Sequence, residues 1–270
     1  MPSSPATSNR GFIKMHGLRN HFVIVDARSR PYHPDNEEVI RICDGQIGIG
    51  ADQLVVIEES DSADAFMRLY NVDGREAQAC GNATRCVAAL LLRSTRASTI
   101  TIETLAGLLH CEQVGPSQIR CDLGEVRPHQ NAELAATICE GPLNSGFAVD
   151  LGNPHMVFFV EDPEGIQLAQ LAPSIQQNRC FPDGVNVGIA SIKSSTELTL
   201  KVYERGAGLT MACGSGACAA VFAAQAQSWL SPNATCSVHM PGGSMEIDIT
   251  PDKRAVMTGP IAYCFEGELP

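Results

Sequence analysis

Alternation of apolar and polar positions predicts that the first third of the chain is rich in strands. Short apolar runs that alternate with polar residues, bounded by turn residues, are typical of half-buried strands. Such runs occur at residues 13–16, 22–25, 53–57, 65–70 and 98–103, and continue from 108 to about 122. Before the 98–103 run, residues 83–93 are apolar nearly all round, and this pattern predicts a buried helix.

The second half of the chain repeats this plan. Apolar runs predict strands at 146–151, 156–160, 186–189 and 198–203, and a second all-apolar helix at 217–226. Each of the two helices follows an Ala-Cys-Gly sequence, and Cys80 and Cys213 stand 133 positions apart, about half the chain. Internal repetition of this kind predicts two pseudo-equivalent α/β halves. We expect domains at 1–122, with 259–270 packing back on it as a strand, and at 123–258, joined by the polar stretch 124–131.

Composition and charge narrow the function classes. The 270 residues are 44% hydrophobic and 18% charged, as expected for a globular chain. Nineteen basic and thirty acidic residues give a net charge of −11, which disfavours nucleic acid as a partner. The N-terminus resembles no secretory signal, and no apolar run approaches the roughly 18 residues of a membrane span. We therefore expect a cytoplasmic protein without a membrane partner.

The eleven cysteines argue against metal binding and against a disulfide framework. Eleven is an odd number, and the sequence contains no CxxC pair. The histidines show no spacing typical of metal ligands, so we expect no metal site. Cys86 and Cys218, further along each helix, are interpreted as structural core residues. Asp26, Asp44 and Asp52 stand beside turn residues and are interpreted as local hydrogen-bonding groups rather than general bases.

A cysteine at the start of a buried helix has a specific chemistry. The helix dipole and the unbonded N–H groups favour a thiolate, and they also form a site for an anion such as a carboxylate. Gly81 and Gly214 allow a ligand to approach the backbone closely. If the halves faced each other across a cleft, Cys80 and Cys213 would stand on opposite sides of the carbon next to that carboxylate. One sulfur could then remove a proton while the other delivers one, which inverts the carbon without any cofactor.

The chain resembles the diaminopimelate epimerases, a family of cofactor-independent two-cysteine amino-acid racemases. The resemblance extends from about residue 12 to 262 and is carried by the segments KMHGLRNHF (14–22), GIGADQ (48–53), NVDG (71–74), ACGNATRC (79–86), LGNPH (151–155), FPDGVN (181–186), YERG (203–206) and ACGSGACAA (212–220). It implies an α/β (α+β) fold of two pseudo-symmetric domains, each a mixed sheet or barrel around a central helix, with the active site in the cleft between them. It also implies a homodimer that interconverts L,L- and meso-diaminopimelate, an isomerase of lysine and peptidoglycan precursor biosynthesis.

The resemblance assigns roles to individual residues. Cys80 and Cys213 would be the acid/base pair, and His155 and Glu204 would assist around the reacting centre and the amino groups. The backbone amides of four residues would hold the reacting carboxylate: Gly81, Asn82, Gly214 and Ser215. Asn20 and Gln53 would bind near the reacting head of the substrate. The non-reacting head would be recognised by side chains with matching donors and acceptors, namely Asn71, Asn153, Asn186 and the guanidinium fork of Arg205.

Two positions depart from the family pattern. Arg19 and His21 stand where the family usually has glycine and aspartate, in the loop that carries Asn20. This departure leaves the fine geometry of that loop, and with it the substrate range, open.

Three alternatives remain. A racemase of the same fold acting on a single-headed amino acid would keep both cysteines but would not need the full set that recognises a second head. A redox sensor or binding protein could join Cys80 and Cys213 as a disulfide. A cysteine hydrolase has less support, because its His and Asn or Asp partners are absent apart from those already in the racemase pattern. The sequence also leaves open which cysteine is the resting thiolate, since a closely coupled pair titrates as a unit.

Overall fold

The computed structural model describes residues 10–269. The chain divides into two compact units. Unit 1 is Met1–Ser117 with Ile261–Pro270, and unit 2 is Gln118–Pro260. The division expected from the sequence, at 122 and 258, stays a prediction for the domain boundaries. The polar stretch 124–131, expected to join the halves, lies within unit 2 and contributes a short strand there.

The secondary structure is dominated by strands. In chain order the strands are β1 (Gly11–Gly17), β2 (Asn20–Asp26), β3 (Gln53–Glu58), β4 (Ala65–Asn71), β5 (Glu76–Ala77), β6 (Thr99–Thr104), β7 (Gly107–Gly115), β8 (Gln118–Glu125), β9 (Arg127–Pro128), β10 (Phe147–Asp150), β11 (Pro154–Phe159), β12 (Asn186–Ser194), β13 (Glu197–Glu204), β14 (Gly208–Thr210), β15 (Cys236–Met240), β16 (Gly243–Ile249), β17 (Arg254–Pro260) and β18 (Ala262–Glu268). The helices are α1 (Asn36–Cys43), α2 (Gly81–Thr95), α3 (Ala132–Ala135), α4 (Leu168–Gln176) and α5 (Gly214–Ala226). No helix within residues 10–269 is both long and apolar enough to cross a membrane.

Unit 1 is a mixed sheet in the order β18-β1-β2-β3-β4-β6-β7. Neighbours pair antiparallel except β2 with β3 and β4 with β6, which pair parallel, and β5 adds to β4. The two parallel pairs are connected through α1 and α2, as parallel neighbours require a crossover. The pairing of β18 with β1 brings the C-terminal strand back onto the N-terminal unit.

Unit 2 repeats the same sequence of pairings. Its order is β9-β10-β11-β12-β13-β15-β16-β17-β8, with parallel pairing only between β11 and β12 and between β13 and β15. Helices α4 and α5 make the two crossovers, and β14 adds to β13 as β5 adds to β4. The internal repeat predicted from the two Ala-Cys-Gly helices is therefore present in the topology.

The two cysteine-led helices are packed among the strands of their own units. Helix α2 contacts β1, β2, β6 and β7, and α5 contacts strands from β10 to β17. Their buried side chains are mostly small or aliphatic, among them Cys86 and Cys218, both fully buried as expected. Helix α2 was predicted as a buried, nearly all-apolar helix, but it also buries a charged side chain. Arg85, in the turn that follows Cys80, is fully buried.

Helices α1 and α4 have no counterpart in the sequence prediction. Helix α1 is short and amphipathic, with Asp35 as an N-cap whose side chain accepts from the Glu38 N–H. Helix α4 lacks a side-chain N-cap and contains Pro173, so its sequence carries few of the usual helix signals.

The β1–β2 hairpin turns through two residues with positive φ. Leu18 has φ 53° and Arg19 has φ 63°, and the flanking Gly17 and Asn20 are paired. A two-residue hairpin of this form favours glycine, since a Cβ in the left-handed region costs roughly 1–2 kcal/mol. Arg19, where the sequence resemblance predicts a glycine, therefore holds this turn under strain.

We expect Arg19→Gly to raise the free energy of unfolding by about 1 kcal/mol, as relief of this strain outweighs the added freedom of the unfolded chain. Urea denaturation measures the change. Arg19→Ala is the matched control, because it removes the same side chain but keeps the Cβ, and it should give no such gain. Equal stability of the Gly and Ala variants would show that the turn is not strained at this position.

Candidate active site

Cys80 is the N-cap of α2. Its backbone is extended, with φ −147° and ψ 111°, and its side chain makes no capping hydrogen bond to the helix. Its carbonyl accepts from the Thr84 backbone N–H and from Thr84 Oγ1, both at 2.9 Å, which secures the first turn. Cys80 is partly exposed. Gly81 and Asn82, whose amides are predicted to hold a carboxylate, are the first two residues of this helix, where anions are favoured.

A hydrogen-bonded cluster surrounds the Cys80 sulfur. The Asn20 side-chain carbonyl accepts from Cys80 Sγ at 3.7 Å and from Asn82 Nδ2 at 3.1 Å. Asn20 Nδ2 donates to Asp52 Oδ2 at 3.1 Å, and Asn82 Oδ1 accepts from Arg85 Nη2 at 2.8 Å. We call these five residues the Cys80 cluster. It contains two predicted site residues besides the cysteine, and also Asp52 and Arg85, to which the sequence analysis gave no role in the site.

The departure at His21 leaves this cluster intact. The His21 backbone N–H donates to Asp52 Oδ2 at 2.6 Å, so the contact does not depend on the side chain at that position. The His21 ring lies 5.2 Å from that of His16, between centroids. The pKa of His16 is lowered, mainly by burial and then by the charges of His21, Arg19 and Lys14.

Gln53 and Asn71 form a second pair in unit 1. They are directly paired residues of β3 and β4, and Gln53 Nε2 donates to Asn71 Oδ1 at 2.9 Å. Gln53 Oε1 is buried and has no hydrogen-bond partner among residues 10–269. A buried acceptor without a partner is costly, so its presence is typical of an atom that a ligand satisfies.

Cys213 is the N-cap of α5 and matches Cys80 in conformation. Its φ is −130° and its ψ 111°, and again its side chain does not cap the helix. It is 5% exposed. The helix begins at Gly214. Two residues later, Gly216 packs so closely against its surroundings that a side chain would not fit. A Cβ on Gly216 would stand 3.0 Å from Val202 Cγ2 and 3.3 Å from Cys213 Sγ.

The Ser215 hydroxyl is the centre of the polar groups around Cys213. Ser215 Oγ lies 3.7 Å from Cys213 Sγ and 3.0 Å from His155 Nε2, and it accepts from Asn153 Nδ2 at 3.4 Å. These four residues, the Cys213 cluster, were all predicted as site residues. The sequence analysis gave a role only to the backbone amide of Ser215. The structure adds a contact between its side-chain hydroxyl and the Cys213 sulfur.

His155 is a neutral imidazole. It is 1% exposed, and burial lowers its pKa to about 3, an effect that the nearby Asp150 carboxylate opposes and the Arg205 charge reinforces. At neutral pH it therefore carries no charge. Its Nε2 can either accept a hydrogen bond from the Ser215 hydroxyl or donate one to it.

Asn186 connects the start of β11 to Arg205. Asn186 is 5% exposed, and its Nδ2 donates to the Pro154 carbonyl at 3.2 Å while its Oδ1 accepts from the Arg205 backbone N–H at 2.9 Å. The exposed Arg205 side chain donates from Nη1 to the Asp183 carbonyl at 2.6 Å. Gly184, with φ 77°, leaves room for it, since a Cβ there would lie 3.0 Å from Arg205 Cδ.

Glu204 accepts from Thr210 Oγ1 at 2.6 Å through its Oε1. The predicted site residues therefore gather in four places: around Cys80, at the Gln53–Asn71 pair, around Cys213, and along Asn186 and the neighbouring Glu204 and Arg205. Among residues 10–269, no three His, Cys, Asp or Glu side chains form a group that could hold a metal ion. All eleven cysteines lie in this range and none of them forms a disulfide.

Comparison with known proteins identifies the family. The family described as diaminopimelate epimerase matches residues 12–128 and 147–264. The chain belongs to the diaminopimelate epimerase family. It is 42% identical over 268 residues to the diaminopimelate epimerase of Acidiphilium cryptum (strain JF-5), covering 96% of each chain, and 40% identical over 277 residues to that of Phenylobacterium zucineum (strain HLK1), covering 98% and 99%.

Solved structures of more distant proteins share the fold. A hydroxyproline epimerase from Agrobacterium vitis superposes with a TM-score of 0.76 at 14% identity, covering 98% of this chain and 94% of its own. A probable proline racemase from Agrobacterium radiobacter K84 gives a TM-score of 0.71 at 14% identity, covering 97% and 93%. The mixed α/β fold expected for a diaminopimelate epimerase family member is confirmed.

The buried His155 predicts a pH dependence of stability. Its pKa lies below the ordinary value of 6.5, so the unfolded chain binds a proton that the folded chain excludes. Stability from this residue is present above pH 6.5 and is lost as the pH falls towards 3, by about 1.4 kcal/mol per pH unit. We expect His155→Gln to remove this part of the slope, measured by urea denaturation between pH 7 and pH 4.

The control is His110→Gln, which changes an exposed histidine hydrogen-bonded to Thr101 and should keep the wild-type slope. A wild-type slope in His155→Gln would contradict the neutral, buried imidazole.

Proposed function

We propose that the chain is a diaminopimelate epimerase that interconverts L,L- and meso-2,6-diaminopimelate without a cofactor, in lysine and peptidoglycan precursor biosynthesis. Membership of the family supports this activity. The single observation that carries it is the repeated N-cap cysteine, Cys80 on α2 and Cys213 on α5, with the same backbone conformation and the same glycine after it.

The reaction is a proton exchange at one α-carbon. One cysteine, as thiolate, removes the α-proton from one face, and the other, as thiol, delivers its proton to the opposite face. After one turnover the two sulfurs have exchanged protonation states, so the enzyme is ready for the reverse reaction. Either direction therefore uses the same two residues, Cys80 and Cys213.

The reacting carboxylate is held by helix N-termini. The amides of Gly81 and Asn82 at α2, and of Gly214 and Ser215 at α5, offer donors that no side-chain cap uses. Charge that builds up on the carboxylate as the α-proton leaves is stabilised by these amides and by the helix dipoles. The neutral His155 supports Ser215 and thereby the second of these N-termini.

Acceptors in unit 1 suit the ammonium group of the reacting head. Gln53 Oε1 is buried and lacks a partner among the described residues, and an ammonium would provide the missing donor. Asn20 adds a side-chain N–H for the carboxylate of the same head, since Asp52 accepts from only one of its two hydrogens among the described residues. Glu204 provides a carboxylate for an amino group.

The second amino-acid head would be bound by Arg205 with Asn71, Asn153 and Asn186. A guanidinium can hold a carboxylate through two parallel hydrogen bonds, and the amides can donate to the carboxylate or accept from the ammonium. This set favours a double-headed substrate over the single-headed rival, because a proline-like substrate has no second carboxylate for Arg205 to bind.

We also propose a homodimer in the cytoplasm. Exposed aromatic side chains on β18, Tyr263 at 45% and Phe265 at 48%, support an association surface. Eleven cysteines without a disulfide suit a reducing compartment. Sedimentation equilibrium distinguishes a dimer from a monomer.

We expect reduced enzyme in D2O to remove the α-proton signal of L,L-diaminopimelate and to produce the meso isomer, followed by proton NMR. Cys80→Ala and Cys213→Ala should each lower the epimerisation rate by at least about 1000-fold, because each removes one of the two proton-transfer groups. Turnover of proline or hydroxyproline instead of diaminopimelate would favour the single-headed alternative.

Cys139→Ala is the matched control, since Cys139 is an exposed cysteine outside both clusters and its loss should leave the rate unchanged. Epimerisation at the wild-type rate in either of the other two variants would end the two-base mechanism.

We expect Arg205→Lys to raise KM for diaminopimelate by about tenfold or more while leaving kcat within a few-fold, because lysine keeps the charge but loses the fork. Steady-state kinetics measures both constants. The backbone N–H of residue 205 still reaches Asn186 in this variant, so the change is confined to the side chain. An unchanged KM would show that Arg205 does not bind the second carboxylate.

A further inference from the structure

The Cys80 cluster forms a chain of hydrogen bonds with a fixed direction. At one end, a guanidinium can only donate, and Arg85 Nη2 donates to Asn82 Oδ1. At the other end, an ionised carboxylate can only accept, and Asp52 Oδ2 accepts from Asn20 Nδ2. Between these ends, Asn82 Nδ2 donates to Asn20 Oδ1.

The two ends determine how both amides are turned. An amide side chain can in general be reversed, with nitrogen and oxygen exchanged. Reversal of Asn82 would place its NH2 against the Arg85 guanidinium, donor against donor. Reversal of Asn20 would place its oxygen against the Asp52 carboxylate, acceptor against acceptor. The carbonyl of Asn20 must therefore face Asn82 and Cys80.

An oriented carbonyl selects the protonation state of the sulfur. Cys80 Sγ lies 3.7 Å from Asn20 Oδ1 and donates to it, which it can do only as a thiol. A hydrogen bond made by the neutral form of an acid stabilises that form, whereas a thiolate would face the oxygen lone pairs. We propose that Asp52 is a positioning residue that, by orienting Asn20, holds Cys80 as the proton donor of the resting enzyme.

The surroundings of Asp52 suit this role. Its Oδ2 also accepts from the His21 backbone N–H at 2.6 Å, which anchors it to β2. The titratable groups that interact with its charge are Lys14 on β1 and Cys43 at the end of α1, and His21 lies beside it on β2. At the other end, Gly17 permits the close approach of β1, because a Cβ there would lie 3.1 Å from Arg85 Nη2.

Cys213 has a different neighbour. Its sulfur faces the Ser215 hydroxyl, which can donate as well as accept. Ser215 Oγ accepts from Asn153 Nδ2, and with the His155 tautomer that carries its proton on Nε2 it accepts from His155 as well. Its own hydrogen can then turn to Cys213 and stabilise a thiolate. This inference rests on the proposed function, and it assigns the base of the first proton transfer to Cys213 and the acid to Cys80. The α-proton then ends on Cys213, the Cys80 proton ends on the substrate, and the resting state returns when one proton passes back to Cys80.

Asp52→Asn tests the proposal. Asparagine has nearly the same shape but can present its NH2 to Asn20 Nδ2, so only the Asn82 Nδ2 donor still holds the Asn20 carbonyl towards the sulfur. The Asn20 NH2 then faces the sulfur in a larger share of the molecules and stabilises the thiolate. We expect Cys80 to react with iodoacetamide about tenfold faster at neutral pH, with its pH midpoint lowered by about one unit. Asp52→Glu keeps an acceptor-only group and should restore much of the slow rate.

Tryptic peptides resolve the reaction by residue. Cleavage after Arg75 and Arg85 releases a peptide in which Cys80 is the only cysteine, and the next peptide contains Cys86. Cys86 is fully buried, so its continued protection shows that the variant is folded. Asp44→Asn is the matched control, because Asp44 accepts from the backbone N–H groups of Gln46 and Ile47 and takes no part in the cluster.

An unchanged rate and midpoint for Cys80 in folded Asp52→Asn, or an equal change in Asp44→Asn, would overturn the proposal. The proposed function is tested separately by turnover of diaminopimelate in the wild-type enzyme. Failure of that turnover would leave the alkylation result readable as a property of Cys80 alone.

Discussion

The proposed chemistry depends on one constraint, the placement of a cysteine where a buried helix begins. The first N–H groups of an α-helix have no acceptor within the helix, so this is where the backbone itself can bind an anion. Cys80 and Cys213 hold the N-cap with extended backbones and without using these donors. A serine or aspartate in the same place would accept from one of them and make it unavailable to an anion. The strands packed around α2 and α5 then hold each sulfur in place, as shown by Gly216, where even a Cβ would crowd Cys213.

The two cysteines share a backbone geometry but not a chemical environment. Around Cys80 the polar groups form a chain whose ends, Arg85 and Asp52, permit only one direction of hydrogen bonding. Around Cys213 they meet at a hydroxyl, which can donate to a thiolate or accept from a thiol. A two-base reaction needs one sulfur in each state, and a difference in neighbours is a simple way to set the starting state.

Much of the fold was predictable because the strands and the two long helices carry clear hydrophobic periods, and the Ala-Cys-Gly pair revealed the repeat. Helices α1 and α4 were missed because they are short. Helix α4 also lacks a capping side chain and contains a proline. Arg85 was assigned to an apolar helix because a sequence does not show that a buried guanidinium can bond to Asn82 within the same turn. Asp52 was interpreted as a local hydrogen-bonding group, but its partners Asn20 and His21 lie more than 30 positions away and meet it only through the parallel pairing of β2 with β3. The roles of the site residues remain predictions.

The reacting head and the second head of a substrate pose different problems. Any α-amino acid presents the same carboxylate and α-carbon, so the backbone amides and two sulfurs of the proposed function do not by themselves distinguish one amino acid from another. Selection of a second head must come from side chains. In this chain the buried Asn186 bonds both to Pro154 and to the Arg205 backbone, and Pro154 lies between Asn153 and His155. The groups suited to the second head are therefore connected through Asn186 to the segment that supports Ser215. Under the proposed function, a change at Asn186 would disturb both the recognition of the second head and the environment of Cys213, whereas a change confined to the Arg205 guanidinium would disturb only the recognition of the second head.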